Sequence, residues 1–85
     1  MTEILYFFSD TCMPCKALKP KVEAFGLEAG IPVTYIDAVA DPDGLADEYR
    51  VRMVPTVILR RDGVAVQRAV GAAQWNPETF TEALA

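Results

Sequence analysis

The sequence predicts a small α/β domain, a four-stranded mixed sheet in βαβαββα order with helices on both faces. Three observations carry this. An apolar run, Ile4-Leu5-Tyr6-Phe7-Phe8, precedes a segment with apolar residues at helical spacing and then a second β-rich run, Val33-Thr34-Tyr35-Ile36-Asp37. Strands joined through a helix pair in parallel with a right-handed crossover. Further on, Asp62-Gly63 between two β-rich runs is a hairpin signal, which adds an antiparallel pair.

Each element has a local reason. Residues 3–8 are β-branched, aromatic and continuously apolar, the pattern of a strand buried on both faces. Ser9-Asp10-Thr11 is rich in capping side chains, so the first helix should begin near the cysteines that follow. Its apolar stripe is Leu18, Val22, Phe25 and Ala29, with a kink expected at Pro20 and a stop at Gly30. Asp41-Pro42 reads as the cap and first residue of a short helix with Leu45 and Tyr49 on one face. Val57-Ile58-Leu59 is the third strand, entered through Val54-Pro55-Thr56. Val64, Val66 and Val70 alternate along the fourth. Asn76-Pro77 opens the last helix, where Trp75 and Phe80 fit a hydrophobic staple and Phe80 and Leu84 face inward.

Eighty-five residues, 52% hydrophobic, suit one domain over 1–85 with a small core. Eight Lys and Arg against 12 Asp and Glu leave a net charge of −4 and no basic patch, which argues against a nucleic-acid partner. No apolar run is long enough to cross a bilayer, so no membrane partner is expected. Met1-Thr2-Glu3 lacks the basic and apolar segments of a signal peptide, which favours a reducing, cytoplasmic location.

The chemistry sits in Cys12-Met13-Pro14-Cys15, the only two cysteines of a chain without histidine. A zinc site would lack its remaining ligands, so no metal is expected. Chance proximity or an inert bridge leaves the strand before and the helix after unexplained. Two thiols at a strand–helix junction form a device for exchanging disulfides. Unpaired N–H groups and the helix dipole stabilise a thiolate at the first cysteine. Cysteines in such settings have pKa values of about 3.5–7.5 against about 8.5 when free. Cys12 is therefore the expected nucleophile. Cys15, one turn deeper and followed by Lys16, is placed to resolve the mixed disulfide. Pro14 is tolerated in the first helical turn and stiffens the loop. For Pro55 two readings stand from the residues alone. One is a trans proline opening a strand. The other is a cis proline that keeps the sheet end open and leaves Val54 to pair with a substrate backbone.

Phe7 through Lys16, with Pro20, Asp37, Tyr49, Val54-Pro55-Thr56, Asp62-Gly63 and Gly71, resemble the thioredoxin family over nearly the whole chain. The resemblance implies the minimal thioredoxin fold, with dithiol–disulfide exchange at Cys12 and Cys15 and a cis Pro55. It also implies a contact surface of Thr11, Met13, Pro14, Met53, Val54, Pro55, Gly71 and Ala72, the last two leaving room for an incoming polypeptide. The implied partners are disulfide-containing proteins, ribonucleotide reductase among them, and thioredoxin reductase as electron source for a monomer that holds no cofactor. The chain departs from the family in four ways. The first strand and helix of full-length thioredoxins are missing, leaving the core shared with glutaredoxins. Thr11 and Met13 replace the usual tryptophan and glycine. Tyr6 stands where a buried acid handles the second cysteine's proton, with Val33 at its lysine partner's place. The helix after the cysteines looks about one turn short. Tyr6 is expected to be mainly a core residue.

Glutaredoxin-type chemistry is the rival within the class. Against it, Pro14 stands where a tyrosine is usual, and Val70-Gly71-Ala72-Ala73-Gln74 lacks the double glycine and acids that hold glutathione. A disulfide oxidant or isomerase is not separated from a reductant by Met13-Pro14. A non-catalytic binding module with a vestigial pair is the alternative from another class, and retention of both cysteines with Pro55 argues against it.

Overall fold

A computed structural model describes residues 1–85. The elements are β1 (Thr2–Phe8), α1 (Met13–Ala29), β2 (Val33–Asp37), α2 (Leu45–Glu48), β3 (Thr56–Arg61), β4 (Val64–Val70), a 3-10 turn at Ala72–Gln74, and α3 (Pro77–Leu84). The sheet order is β2-β1-β3-β4. β1 and β2 are parallel, while β3 is antiparallel to both β1 and β4. This is the four-stranded mixed sheet expected, in a minimal thioredoxin-type arrangement.

Strand alternation splits the core into two layers. Ile4, Tyr6, Val57, Leu59 and Ala69 pack with Leu18 and Val22 of α1 and Phe80 of α3. Leu5, Phe7 and Ile58 point the other way, against Ile36, Ala46 and Tyr49. β1 and β3 thus lie in the middle, buried on both faces. Each fully buried side chain of this size contributes about 1.5–3 kcal/mol.

Four local expectations are corrected. The N-cap of α1 is Cys12 itself, whose sulfur accepts the Cys15 N–H, and not one of the hydroxyl or carboxylate residues before it. On α1 the buried residues are Cys15, Leu18, Val22 and Gly26; Phe25 packs half-buried against the core as expected, and Ala29 is exposed. Gly26 is there because the chain turns back directly onto it: an added Cβ would lie 2.6 Å from Val33 Cγ2 and 3.0 Å from the Ile31 carbonyl oxygen. α2 starts at Leu45 and not at Pro42, and its N-cap is Gly44 and not Asp41, whose carboxylate accepts the Ala46 N–H at 3.1 Å from three residues before the cap. On β4 the buried residue is Ala69, and Val64 and Val66 are exposed. A register shift between Leu59 and Arg60 leaves Val66 as the extra residue of the bulge, so the valine alternation does not follow one face.

Other signals behave as read. α1 stops at Gly30 as expected, in the left-handed region at φ 70°, with the Ile31 N–H closing on the Gly26 carbonyl at 2.8 Å, and Pro20 lies within the one continuous helix. Asp62 and Gly63 both have positive φ, as a tight hairpin demands. Asn76 accepts the Glu78 N–H at 2.9 Å, and the Trp75 and Phe80 rings meet at 4.8 Å.

Candidate redox site

Register alone gathers the sequence-singled residues at one end of the sheet. Phe7 pairs with Thr56 and Thr56 with Val70. The loop carrying the cysteines leaves β1 here, Pro55 enters β3 here, and Gly71 leaves β4 here. Local contacts tighten the group. The Gly71 N–H donates to the Pro55 carbonyl at 2.8 Å, and the Thr56 hydroxyl donates to the Met53 carbonyl at 2.6 Å. The Val54–Pro55 peptide is cis.

Cys12 and Cys15 are joined as a disulfide, their Cα atoms 5.2 Å apart. They differ sharply in exposure. Cys12 is half-buried, whereas Cys15 is 2% exposed. Cys12 occupies the N-cap of a 17-residue helix, and the Cys15 N–H points at its sulfur at 3.2 Å. In the reduced protein that N–H and the helix dipole would stabilise a Cys12 thiolate. No carboxylate lies in the first helical turn to oppose it. Pro14 is in that turn, where its missing N–H has no helical partner to lose.

The surroundings of Cys12 are apolar and open. Met13 is 70% and Met53 53% exposed, Thr11, Pro14 and Ala72 are exposed, and Val54 is half-buried. Val54 makes no backbone hydrogen bond of its own. Gly71 adopts φ 86° and ψ 152°, a region kept for glycine, and a Cβ there would stand 4.0 Å from the Met53 sulfur.

Tyr6, expected to be mainly core and to stand where a buried acid would serve Cys15, is both core and a contact to the site. It is buried, stacks edge-on against Tyr35 at 5.8 Å, and donates its phenol hydrogen to the Cys15 carbonyl at 2.5 Å. Burial pushes its pKa above the usual tyrosine value. β1 thereby grips the backbone of the second cysteine, not its sulfur. No group of three or more His, Cys, Asp or Glu is placed to hold a metal ion.

A strand–Cys-x-x-Cys–helix pair with one accessible and one buried sulfur, beside a cis proline, defines a thiol–disulfide oxidoreductase. The chain belongs to the thioredoxin family: the family described as Thioredoxin matches residues 2–83. It is 38% identical over 69 residues to a thioredoxin of Chlamydia trachomatis, covering 80% of this chain and 67% of that protein. It is 39% identical over 66 residues to the thioredoxin of Chlamydia muridarum, covering 76% of this chain and 64% of that one. Among solved structures it is similar to thioredoxin 1 from Thermosipho africanus, with a TM-score of 0.78 and 27% identity over 96% of this chain and 89% of that one. The chain thus matches about two thirds of the length of the chlamydial relatives.

Proposed function

We propose that residues 1–85 act as one domain that reduces protein disulfides, with Cys12 attacking and Cys15 resolving. The observation that carries this is the asymmetry of the pair: a half-buried sulfur capping a helix and a buried one a single turn deeper. Cys12 as thiolate attacks a substrate disulfide and forms the mixed disulfide. Cys15 then attacks Cys12, closes the ring and releases the second substrate thiol.

Thr11, Met13, Pro14, Met53, Val54, Pro55, Gly71 and Ala72 form the docking surface in this reading. Exposed methionines adapt to varied side chains. The free N–H and C=O of Val54 suit pairing with an extended substrate backbone. Thioredoxin reductase is the electron donor, ribonucleotide reductase is one recipient, and the protein works as a cytoplasmic monomer. No helix is long and apolar enough to cross a membrane.

The test supplies NADPH with either thioredoxin reductase or glutathione and its reductase, and follows reduction of a protein disulfide. Turnover with the first supports the reading, and turnover with glutathione alone overturns it. A Cys15→Ser variant should trap its partner as a mixed disulfide. Titration of Cys12 as an ordinary or less acidic thiol would instead favour a binding module.

A further inference from the structure

Resolution needs the Cys15 thiol to lose its proton, and the group nearest at hand is already committed. The Tyr6 hydroxyl donates to the Cys15 carbonyl, and burial keeps that phenol protonated at neutral pH. It is a donor facing a carbonyl and not a base facing a thiol.

Beside it opens a hollow of roughly 200 Å³ whose lining includes Cys15, Tyr6, Asp10, Lys16, Lys19 and Tyr35. Liquid water takes about 30 Å³ per molecule, so several waters fit. The chemistry of the lining narrows the choice of base. Lys16 and Lys19 bring donors and no acceptor. The Tyr35 hydroxyl donates to Glu23 at 2.6 Å, and its pKa is raised by burial and then by that carboxylate. Only Asp10 brings a side chain that is a base at neutral pH. Asp10 is exposed, and its carboxylate makes no hydrogen bond or ion pair within the chain, Cys12 being the residue that caps the helix.

We propose that Asp10 accepts the Cys15 proton across this hollow as the mixed disulfide is resolved. The proposal rests on the reading of Cys12 as attacker and Cys15 as resolver. In the step, the Cys15 S–H bond breaks and its proton passes to the Asp10 carboxylate. The Cys15 sulfur bonds to the Cys12 sulfur, and the Cys12–substrate bond breaks with its electron pair leaving on the substrate sulfur. The substrate thiolate takes a proton from solvent, and Asp10 returns its own to solvent. The dithiol is oxidised by two electrons and the substrate disulfide is reduced by two. The ammonium groups of Lys16 and Lys19 favour the negative charge that develops on Cys15.

The experiment follows the reduced protein reacting with a disulfide-linked peptide, quenched in acid and alkylated. Mass spectrometry then counts the Cys12 mixed disulfide and the closed Cys12–Cys15 disulfide over time. Asp10→Asn should form the mixed disulfide within about twofold of the parent rate and close it at least about fivefold more slowly. The deficit of Asp10→Asn should be confined to closing and absent from formation of the mixed disulfide. Asp10→Glu should close at close to the parent rate, and acetate or imidazole should restore closing in Asp10→Asn in proportion to its concentration. Closing at the parent rate in Asp10→Asn overturns the proposal, as does slow closing that ignores added base. Failure of the underlying reading looks different: Cys15→Ser then forms no mixed disulfide at all, which overturns both.

Discussion

Tyr6→Phe isolates the single polar contact between the sheet and the second cysteine. The ring remains, so its packing in the core and against Tyr35 is kept. Only the O–H donated to the Cys15 carbonyl is lost. That carbonyl lies in α1, where helix geometry also offers it the N–H of the residue four positions on, Lys19. It is therefore not orphaned, and the full penalty of about 1–3 kcal/mol for an unsatisfied buried group does not apply. The loss should be that of one ordinary hydrogen bond, about 1 kcal/mol. In a domain of this size that lowers the melting temperature by roughly 4–8 °C. It also cuts the folded-to-unfolded ratio about fivefold. Thermal unfolding of the oxidised protein by circular dichroism measures the first quantity, and disulfide reduction under saturating reductant measures activity, which should stay within about twofold. Reduction slowed tenfold or more with an unchanged melting temperature would refute the reasoning, because the hydroxyl would then act in the chemistry and not in holding the helix.

Alkaline pH should destabilise the fold through the same residue and its neighbour. Burial raises Tyr6 and Tyr35 above the ordinary value of 10.0, so the folded state favours protonated phenols; their stabilisation is complete below the unfolded pKa and is lost as pH rises through the folded one. Urea midpoints should fall above about pH 10, and an equally steep fall in a Tyr6→Phe/Tyr35→Phe double variant would count against this. Gly71→Val places a β-branched residue at φ 86° and should cost about 1–3 kcal/mol, while slowing reduction of a protein disulfide more than that of a small aromatic disulfide; equal rates on both would remove Gly71 from the docking surface. Gly26→Ala gains about 0.8–1.0 kcal/mol of helix propensity but drives a methyl into Val33 and the Ile31 carbonyl, where overpacking costs about 1–3 kcal/mol. The clash should win. Val33→Ala in the same chain should recover stability in denaturant titrations, since it removes the nearer atom.

Much of the fold was readable because its signals are local. The continuous apolar run of β1, the glycine after α1, the Asp62-Gly63 turn and the Asn76-Pro77 cap each depend on a few adjacent residues, and each appears where its chemistry places it. The misreadings arose where a distant segment decided the outcome. Gly26 is buried because β2 folds back over it, which no period along α1 reveals. Val64 and Val66 look like core residues until the bulge against β3 turns them outward. Asp10 looked like a cap until the sulfur two residues on took that role.

The sequence by itself determined the order of elements and the reactive pair. These follow from helix ends, apolar periods and the spacing of two thiols along one chain. Only the tertiary structure decided what surrounds that pair. Three strand ends from different parts of the chain lie at the end of the sheet from which the cysteine loop leaves, a phenol from β1 reaches the Cys15 backbone, and a hollow lined by Cys15 has one unpaired carboxylate on its wall. Such contacts depend on strand register and the close fit of one layer on another, where a shift of one residue exchanges one face for the other.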